Sequence, residues 1–335
     1  MKKIISIVLL IALVLTVAVC AFACKEKEDE TPLRFAAPEG TPALAMTRLV
    51  TDNKTIAGKT MEYAVVSPSN IGAEMSSAKS SLVIMPVNAG ANLIRKGADY
   101  KLVSIAVNGS LYIVGKTEKG GELTINDLKG KKIACIGQTG VPGLIFHFVM
   151  NKNGIKMLTD ENAEPSAENN EIAVQYVADG PAAKTLLASD KADFALVGEP
   201  AATAFKGALK LNAELDMQKA YNTANNGEVN GYPQAGLFVK TALAENEKFM
   251  TELFDALKAS KEWVTENSDK VSEFAKTNLY ESATFPVKSI PRCSINATAL
   301  TKESKKEIIA FLKNVMPKEQ NGTAIDWEGT QDKLF

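Results

Sequence analysis

The feature that most constrains the fold is an alternation of strand-like and helix-like segments along the first two thirds of the chain. Apolar runs such as 81–85 and 132–136 have the length of buried strands, and turn residues and a helical pattern follow each one. The helix 142–153 is well delimited, since Pro142 stands in its first turn and Gly154 just past its end. Such alternation builds mostly parallel sheets covered on both faces, so the sequence predicts an α/β fold.

The last third of the chain has a different pattern. After a strand at 237–239, apolar residues trace one face of a long helix over 243–264. A second amphipathic helix is predicted over 303–315, with Thr301 as its cap. This part therefore supplies mainly helices to the fold.

Residues 1–23 have the layout of an export signal, with a basic start, an apolar middle and small residues at the exit. The alternative is a retained anchor helix, because about 20 apolar residues can span a bilayer. The stretch ending at Cys24 resembles a lipobox, although Ala21 stands where that pattern prefers Leu. Cys20 competes less well, since the bulky Val19 precedes it. We therefore predict lipidation at Cys24 and a charged tether over 24–32.

Composition narrows the remaining possibilities. The formal net charge is −1 with acidic and basic residues interspersed, so there is no basic stripe for nucleic acid. Cys135 and Cys293 are far apart in sequence and are predicted to be buried thiols. His147 is the single histidine, which excludes a multi-histidine metal site within the chain. About 310 residues beyond the signal suit two domains of ordinary size or one large domain.

Three stretches, taken in their order and spacing, carry a family resemblance. The first reads INDLKGKKIA (125–134), the second LLASDKADFALVGEP (186–200) and the third PQAGLFV (233–239), which precedes a helix carrying Trp263. Together they resemble ABC-importer solute-binding proteins of the subgroup for nitrate, sulfonates, taurine or thiamine precursors. The resemblance covers about residues 33–316.

The resemblance implies a two-lobed type II periplasmic-binding-protein fold with mixed, mostly parallel sheets and a ligand cleft between the lobes. Lobe one is expected over 33–113 plus 236–335 and lobe two over 114–235. It further implies a lipid-anchored receptor that captures a small organic solute, a vitamin precursor or a sulfonate-like compound, and delivers it to a permease with its ATPase. No cofactor is expected, and the protein is expected to be a monomer.

The strand-end rule selects candidate site residues without reference to a family, since ligands of open α/β sheets sit beyond the carboxyl ends of the strands. Glycines in such loops let a ligand approach the backbone, and Thr, Ser, Asn and Gln can hydrogen-bond it. Several of these residues can equally be plain turn or helix-cap residues. The candidates for substrate binding are Gly40, Thr41, Pro42, Ser67, Ser69, Asn88, Ala89, Gln138, Thr139, Gly140, Glu199 and Tyr232.

Two of these candidates carry open alternatives. Glu199 can bind a cationic ligand or simply complete the turn before Pro200, and Tyr232, like Tyr112, can stack on a ligand ring or pack near a crossing. No arginine falls in a predicted cleft loop, which favours a neutral or weakly charged solute over one held chiefly by charge. Helix N-termini can bind anions without arginine, so a sulfonate-like ligand stays an alternative.

An enzyme is the second hypothesis, because pyrimidine-precursor synthases on the same fold are associated with a reactive histidine and iron. His147 is predicted within a helix rather than in a cleft loop, and the cysteine-rich motif of those relatives is absent. The sequence therefore favours a receptor that breaks no bond.

Overall fold

Two sheets organise the chain in a computed structural model that describes residues 31–160, 162–229, 231–320 and 323–335. The export signal, Cys24 and most of the predicted tether lie outside the described residues. The chain from Leu33 to Phe335 is one compact unit. Its strands are β1 (Leu33–Pro38), β2 (Thr55–Ile56), β3 (Lys59–Val66), β4 (Leu82–Pro86), β5 (Tyr100–Asn108), β6 (Leu111–Gly115), β7 (Gly121–Glu122), β8 (Lys132–Ile136), β9 (Lys156–Leu158), β10 (Glu171–Val177), β11 (Phe194–Gly198), β12 (Ala213–Asp216), β13 (Pro233–Lys240), β14 (Glu319–Gln320) and β15 (Thr323–Ala324).

Helices connect the strands and cover the sheets. Two segments, Ile125–Leu128 and Val287–Cys293, are 3-10 helices. The α-helices are α1 (Thr41–Leu44), α2 (Leu49–Asp52), α3 (Ile71–Ser76), α4 (Val87–Arg95), α5 (Val141–Lys152), α6 (Gly180–Ala188), α7 (Ala201–Ala208), α8 (Met217–Ala224), α9 (Thr241–Ala244), α10 (Glu247–Glu266), α11 (Val271–Asn278), α12 (Lys302–Val315) and α13 (Gln331–Leu334).

The first sheet has the strand order β2-β3-β1-β4-β13-β5. Strand β1 pairs in parallel with β3 and β4, whereas β13 runs antiparallel to both β4 and β5. The parallel strands are buried on both faces, as continuous apolar runs such as 82–85 require. A strand from late in the chain thus completes a sheet that the first third of the chain begins.

The second sheet has the strand order β7-β12-β6-β11-β8-β10-β9. Strand β8 pairs in parallel with β10 and β11, and β6 pairs antiparallel with β11 and β12. Both sheets are therefore mixed and mostly parallel in their centres, which confirms the predicted fold class.

The chain passes between the sheets at two places. It leaves the first sheet at Asn108 and enters the second at Leu111, and it leaves β12 and α8 before it returns at Pro233. The family resemblance predicts that the chain crosses between the lobes near 114–115 and near 234–236. In the structure each change of sheet comes slightly earlier along the chain than that. The lobe boundaries 113/114 and 235/236 themselves stay a prediction.

The core confirms several local predictions. Cys135 and Cys293 are buried thiols, and burial raises the pKa of each to about 12. Thr301 caps α12, because its hydroxyl accepts from the backbone N–H of Ser304. The sequence over 43–50 also predicts a single helix, and this is wrong in detail: α1 ends at Leu44 and α2 begins at Leu49.

Candidate functional site

The loops that follow the parallel strands of the two sheets meet each other. In the first sheet these loops are 39–42, 67–70 and 86–89, and in the second they are 137–140, 178–180 and 198–200. The hydroxyl of Thr41 donates to the carbonyl oxygen of Glu199 at 2.7 Å. The Nδ2 of Asn88 donates to the carbonyl oxygen of Thr139 at 3.0 Å. We call the space bounded by these six loops the cleft.

Gly40 and Thr41 form a rigid wall of the cleft. Gly40 has a φ of 92°, a conformation that favours glycine, and its N–H donates to the Tyr280 hydroxyl at 3.0 Å. Pro42 stands in the first turn of α1, where its fixed φ suits the helix. Because Thr41 is 2% exposed and bonded to Glu199, this wall joins the two sheets.

Ser67 and Ser69 leave more polar surface available. Their hydroxyl oxygens are 3.0 Å apart, Ser69 is exposed, and Ser67 is partly buried. Gln138 and Thr139 in the facing loop are also exposed, and Gly140 precedes the first residue of α5. These side chains can turn toward a bound molecule without breaking a buried contact.

Asn88 lies in the first turn of α4, next to the partly buried Ala89. It is 4% exposed, and among the described residues its amide hydrogen-bonds to the Thr139 carbonyl, which accepts but cannot donate. Its Oδ1 is buried and has no hydrogen-bond partner within the described part of the chain. Burying an acceptor oxygen costs free energy unless a donor hydrogen-bonds to it.

Glu199 is a buried carboxylate, held by Arg292 and by Thr203 in the first turn of α7. Its side chain is 0% exposed and accepts from the backbone N–H and the hydroxyl of Thr203, at 3.1 and 2.8 Å. The Nε of Arg292 lies 2.5 Å from Glu199 Oε1, a close ion pair without the alignment of a hydrogen bond. Burial raises the pKa of Glu199, although the surrounding donors offset part of that effect.

Arg292 extends this contact into a cluster, since its Nη1 and Nη2 each donate to Glu214 at 3.1 Å. Its guanidinium carbon lies 3.8 Å from the centre of the Tyr112 ring, a cation–π contact. Burial alone disfavours the charged arginine, but the carboxylates outweigh it and the pKa of Arg292 is raised. We call Arg292, Glu199 and Glu214 the latch.

The latch corrects one expectation. Arg292 was not placed near the cleft by the strand-end rule, because it lies in the 3-10 segment Val287–Cys293 and not after a parallel strand. The structure brings it against β11 and β12 of the second sheet. Tyr112 accordingly stacks on Arg292 rather than presenting its face to a solute.

Several solved protein structures are similar to this chain over most of its length. A structure described as an ABC transporter from Parabacteroides distasonis has a TM-score of 0.69 at 20% identity, covering 88% of this chain and 97% of that chain. The alkanesulfonate-binding protein SsuA from Xanthomonas axonopodis pv. citri, bound to MOPS, has a TM-score of 0.57 at 16% identity, covering 86% and 94%. The aliphatic sulphonate binding protein SsuA from Escherichia coli has a TM-score of 0.57 at 11% identity, covering 88% and 95%.

The chain has the two-lobed periplasmic-binding-protein fold. The resemblance found in the sequence is thus confirmed at the level of the fold. No family model matches the sequence, and no curated protein matches it.

Gln234, the second residue of β13, is a polar residue next to the cleft that the strand-end rule did not select. Its Oε1 accepts from the N–H of Ser110 at 2.9 Å and from the Ser110 hydroxyl at 3.3 Å. Its Nε2 is turned toward Gly198, the last residue of β11. The side chain therefore lies where both crossings of this periplasmic-binding-protein fold approach the cleft.

Tyr232 is withdrawn into a packed aromatic group. It is 3% exposed, its hydroxyl donates to Gln218 at 2.7 Å, and its ring packs against Tyr221 and Phe311. A cavity of about 650 Å³ lies beside this group, between α8, α12 and the return crossing. None of the cleft loops lines it, so the meeting of the strand-end loops, and not cavity size, defines the candidate site.

His147 lies in a helix and outside the six cleft loops. His147 stands in α5, its Nε2 contacts the Tyr176 hydroxyl, and burial lowers the pKa of its ring. Across residues 31–335 as described, no group of three His, Cys, Asp or Glu side chains is placed to hold a metal ion. A search of the same residues finds no helix with the length and apolarity needed to cross a bilayer.

Proposed function

We propose that this protein is the extracytoplasmic, lipid-anchored solute-binding component of an ABC importer. It captures a small organic solute in the cleft and delivers it to a permease with its ATPase. The observation that carries the proposal is the meeting of strand-end loops from two separate sheets, bridged by the bonds Thr41–Glu199 and Asn88–Thr139. Because each bridge joins one sheet to the other, opening the cleft must break both.

The comparisons support the same role. The solved relatives described as sulfonate-binding proteins share the fold over most of both chains, and a vitamin precursor or a sulfonate-like compound is the class of solute that we propose. Binding involves no chemical step: the ligand stabilises the closed arrangement and shifts an open–closed equilibrium. Lipidation at Cys24 keeps the loaded protein close to its permease, and the protein acts as a monomer.

Ligand binding is tested by thermal shift of the purified protein against vitamins, their precursors, sulfonates and amino acids. We expect one class to raise Tm, and small-angle scattering to show a smaller radius of gyration with that ligand. Recovery of a chemically altered ligand would instead indicate an enzyme.

The anchor is tested separately by mass spectrometry of membrane fractions. We expect a diacylglycerol-modified N-terminus at Cys24, and an intact segment 1–23 would overturn that part of the proposal. The wild-type protein and a Cys24→Ala variant, compared for membrane retention, provide the matched pair.

A further inference from the structure

The amide of Asn88 has a fixed orientation. Its Nδ2 donates to the Thr139 carbonyl at 3.0 Å, and a carbonyl oxygen cannot donate to Oδ1, so the amide cannot be turned round without losing this bond. The Oδ1 is therefore the group that remains to be satisfied, and it is buried with no partner among the described residues. A group that donates an N–H or O–H fits this atom, whereas an oxyanion repels it.

The amide of Gln234 also has a fixed orientation, but here the oxygen is bonded and the Nε2 donor is left. Both the N–H and the hydroxyl of Ser110 point at its Oε1, which makes that oxygen the acceptor. Its Nε2 lies 3.9 Å from the position that a Cβ would take at Gly198, at the cleft end of β11. The donor end of Gln234 is therefore turned to the cleft edge of the second sheet.

Strand register places the two amides at neighbouring positions. Pro86 at the end of β4 is paired with Ala235 near the start of β13. Asn88 follows Pro86 by two residues, and Gln234, the second residue of β13, directly precedes Ala235, so both lie at the same end of adjacent strands. Among the described residues, this end of the first sheet thus carries one unpaired amide acceptor and one amide donor.

The charged side chains next to Glu199 balance one another. Arg292 faces two carboxylates, Glu199 and Glu214, and Lys206 pairs with Glu214 at 2.8 Å. Two cations thus stand against two carboxylates, and the group as a whole is neutral. An arginine that is already paired bidentately has its preferred oxyanion partner.

We propose that the cleft selects an uncharged solute that carries a hydrogen-bond donor next to an acceptor, the arrangement of a cis-amide or lactam edge, which Asn88 and Gln234 read together. This rests on the proposed function and narrows its solute class, a vitamin precursor or a sulfonate-like compound, by leaving the sulfonate-like compounds out. The solute donates to Asn88 Oδ1 and accepts from Gln234 Nε2. Sulfonates and other oxyanions are rejected because their oxygens meet the Asn88 acceptor.

The test uses the full mature chain and two probe sets at one ionic strength. The uncharged set is uracil, nicotinamide and 2-piperidone, and the anionic set is methanesulfonate, ethanesulfonate and inorganic sulfate. We expect calorimetry to show binding within the uncharged set only. We also expect that affinity to change by less than about twofold as salt rises from about 50 to about 500 mM, because no net charge is screened.

Two variants identify the residues. Asn88→Leu keeps the approximate shape of the side chain and should weaken the binding uncharged probe at least about tenfold, because the ligand donor loses its acceptor. Gln234→Leu should do the same. Asn92→Leu is the matched control, since Asn92 lies on the same helix and its Oδ1 accepts from Arg95 rather than facing the second sheet. We expect its affinity to stay within about twofold of wild type.

The outcomes separate the two proposals. A sulfonate or sulfate that binds and reduces the radius of gyration overturns the solute class and leaves the transport role standing. Tight binding of an uncharged probe that survives both Leu substitutions overturns the residue assignment. A panel in which neither set binds counts against the solute class and the proposed function together.

Discussion

Removing Arg292 should shift the unliganded protein toward an open form. In this structure the side chain pairs with Glu199 and Glu214 of the second sheet and stacks on Tyr112. Arg292→Met keeps much of the apolar stem and the packing on the tyrosine ring but removes the charge and the donors. The Glu199 carboxylate, whose side chain is 0% exposed, is then left buried without its cation.

The size of the effect follows from that burial. Breaking a buried ion pair by removing one partner costs about 3–5 kcal/mol, and Arg292 itself is 28% exposed, so the lower end applies. The two Thr203 donors keep Glu199 partly satisfied, which again argues for about 3 kcal/mol. At 1.36 kcal/mol per factor of ten, the closed form should lose roughly 100-fold in relative population.

Single-molecule Förster resonance energy transfer measures the populations of the open and closed forms directly. Dyes on cysteines introduced at Lys258 in α10 and at Glu164 beyond β9 report the separation of the two sheets, since both side chains are well exposed. We expect Arg292→Met to move the unliganded distribution toward low transfer and to weaken ligand binding. Arg48→Met is the control, because Arg48 pairs with Asp52 one turn along the chain.

One result would refute the reasoning. If the transfer distribution of Arg292→Met matches that of wild type while its free energy of unfolding falls by several kcal/mol, the latch stabilises the fold as a whole. It would then have no part in opening and closing.

Two further predictions concern stability. Hydrogen bonding from Arg34 lowers the pKa of Glu74 to about 2, so its stabilising effect is complete above the unfolded pKa near 4.5 and is lost as the pH falls from there toward 2. Acid titration of Glu74→Gln, followed by circular dichroism, should show a flatter loss of stability over that window and should show about 2–3 kcal/mol less stability at neutral pH. A Cβ added at Gly90 would lie 2.2 Å from the ring of Phe238, so Gly90→Ala should lose about 2 kcal/mol in denaturant unfolding, whereas Gly207→Ala, with open space around it, should not be destabilised.

The sequence predicted much of the fold because its signals are local. Apolar runs bounded by turn residues mark β8, and Pro142 with Gly154 marks both ends of α5. The predicted helix 43–50 is interrupted in the structure, because the N–H groups of Met46 and Thr47 bond to the third preceding carbonyl, those of Ala43 and Leu44, instead of the fourth.

The site was predictable only where it follows from strand direction. Asn88 and Thr139 were selected because they follow parallel strands, and the structure joins them across 51 positions of sequence. Arg292 contacts Glu214 from 78 positions away and lies in a segment with no periodicity, so no local pattern relates the two. Tyr232 was read as a possible ring partner, yet aromatic packing against Tyr221 and Phe311 decides its position, and packing cannot be read from spacing.

The position of β13 has a consequence for how the chain comes to be folded. This strand lies between β4 and β5, so the first sheet stays divided until residue 240 has been delivered. The second sheet, by contrast, is drawn entirely from residues 111–216 and can form as a continuous block. In a chain exported from its N-terminus, the second sheet could therefore form before the first sheet is complete. Strands β4 and β5 would keep unpaired edges, which favour aggregation, until β13 emerges about 150 residues after the start of β4.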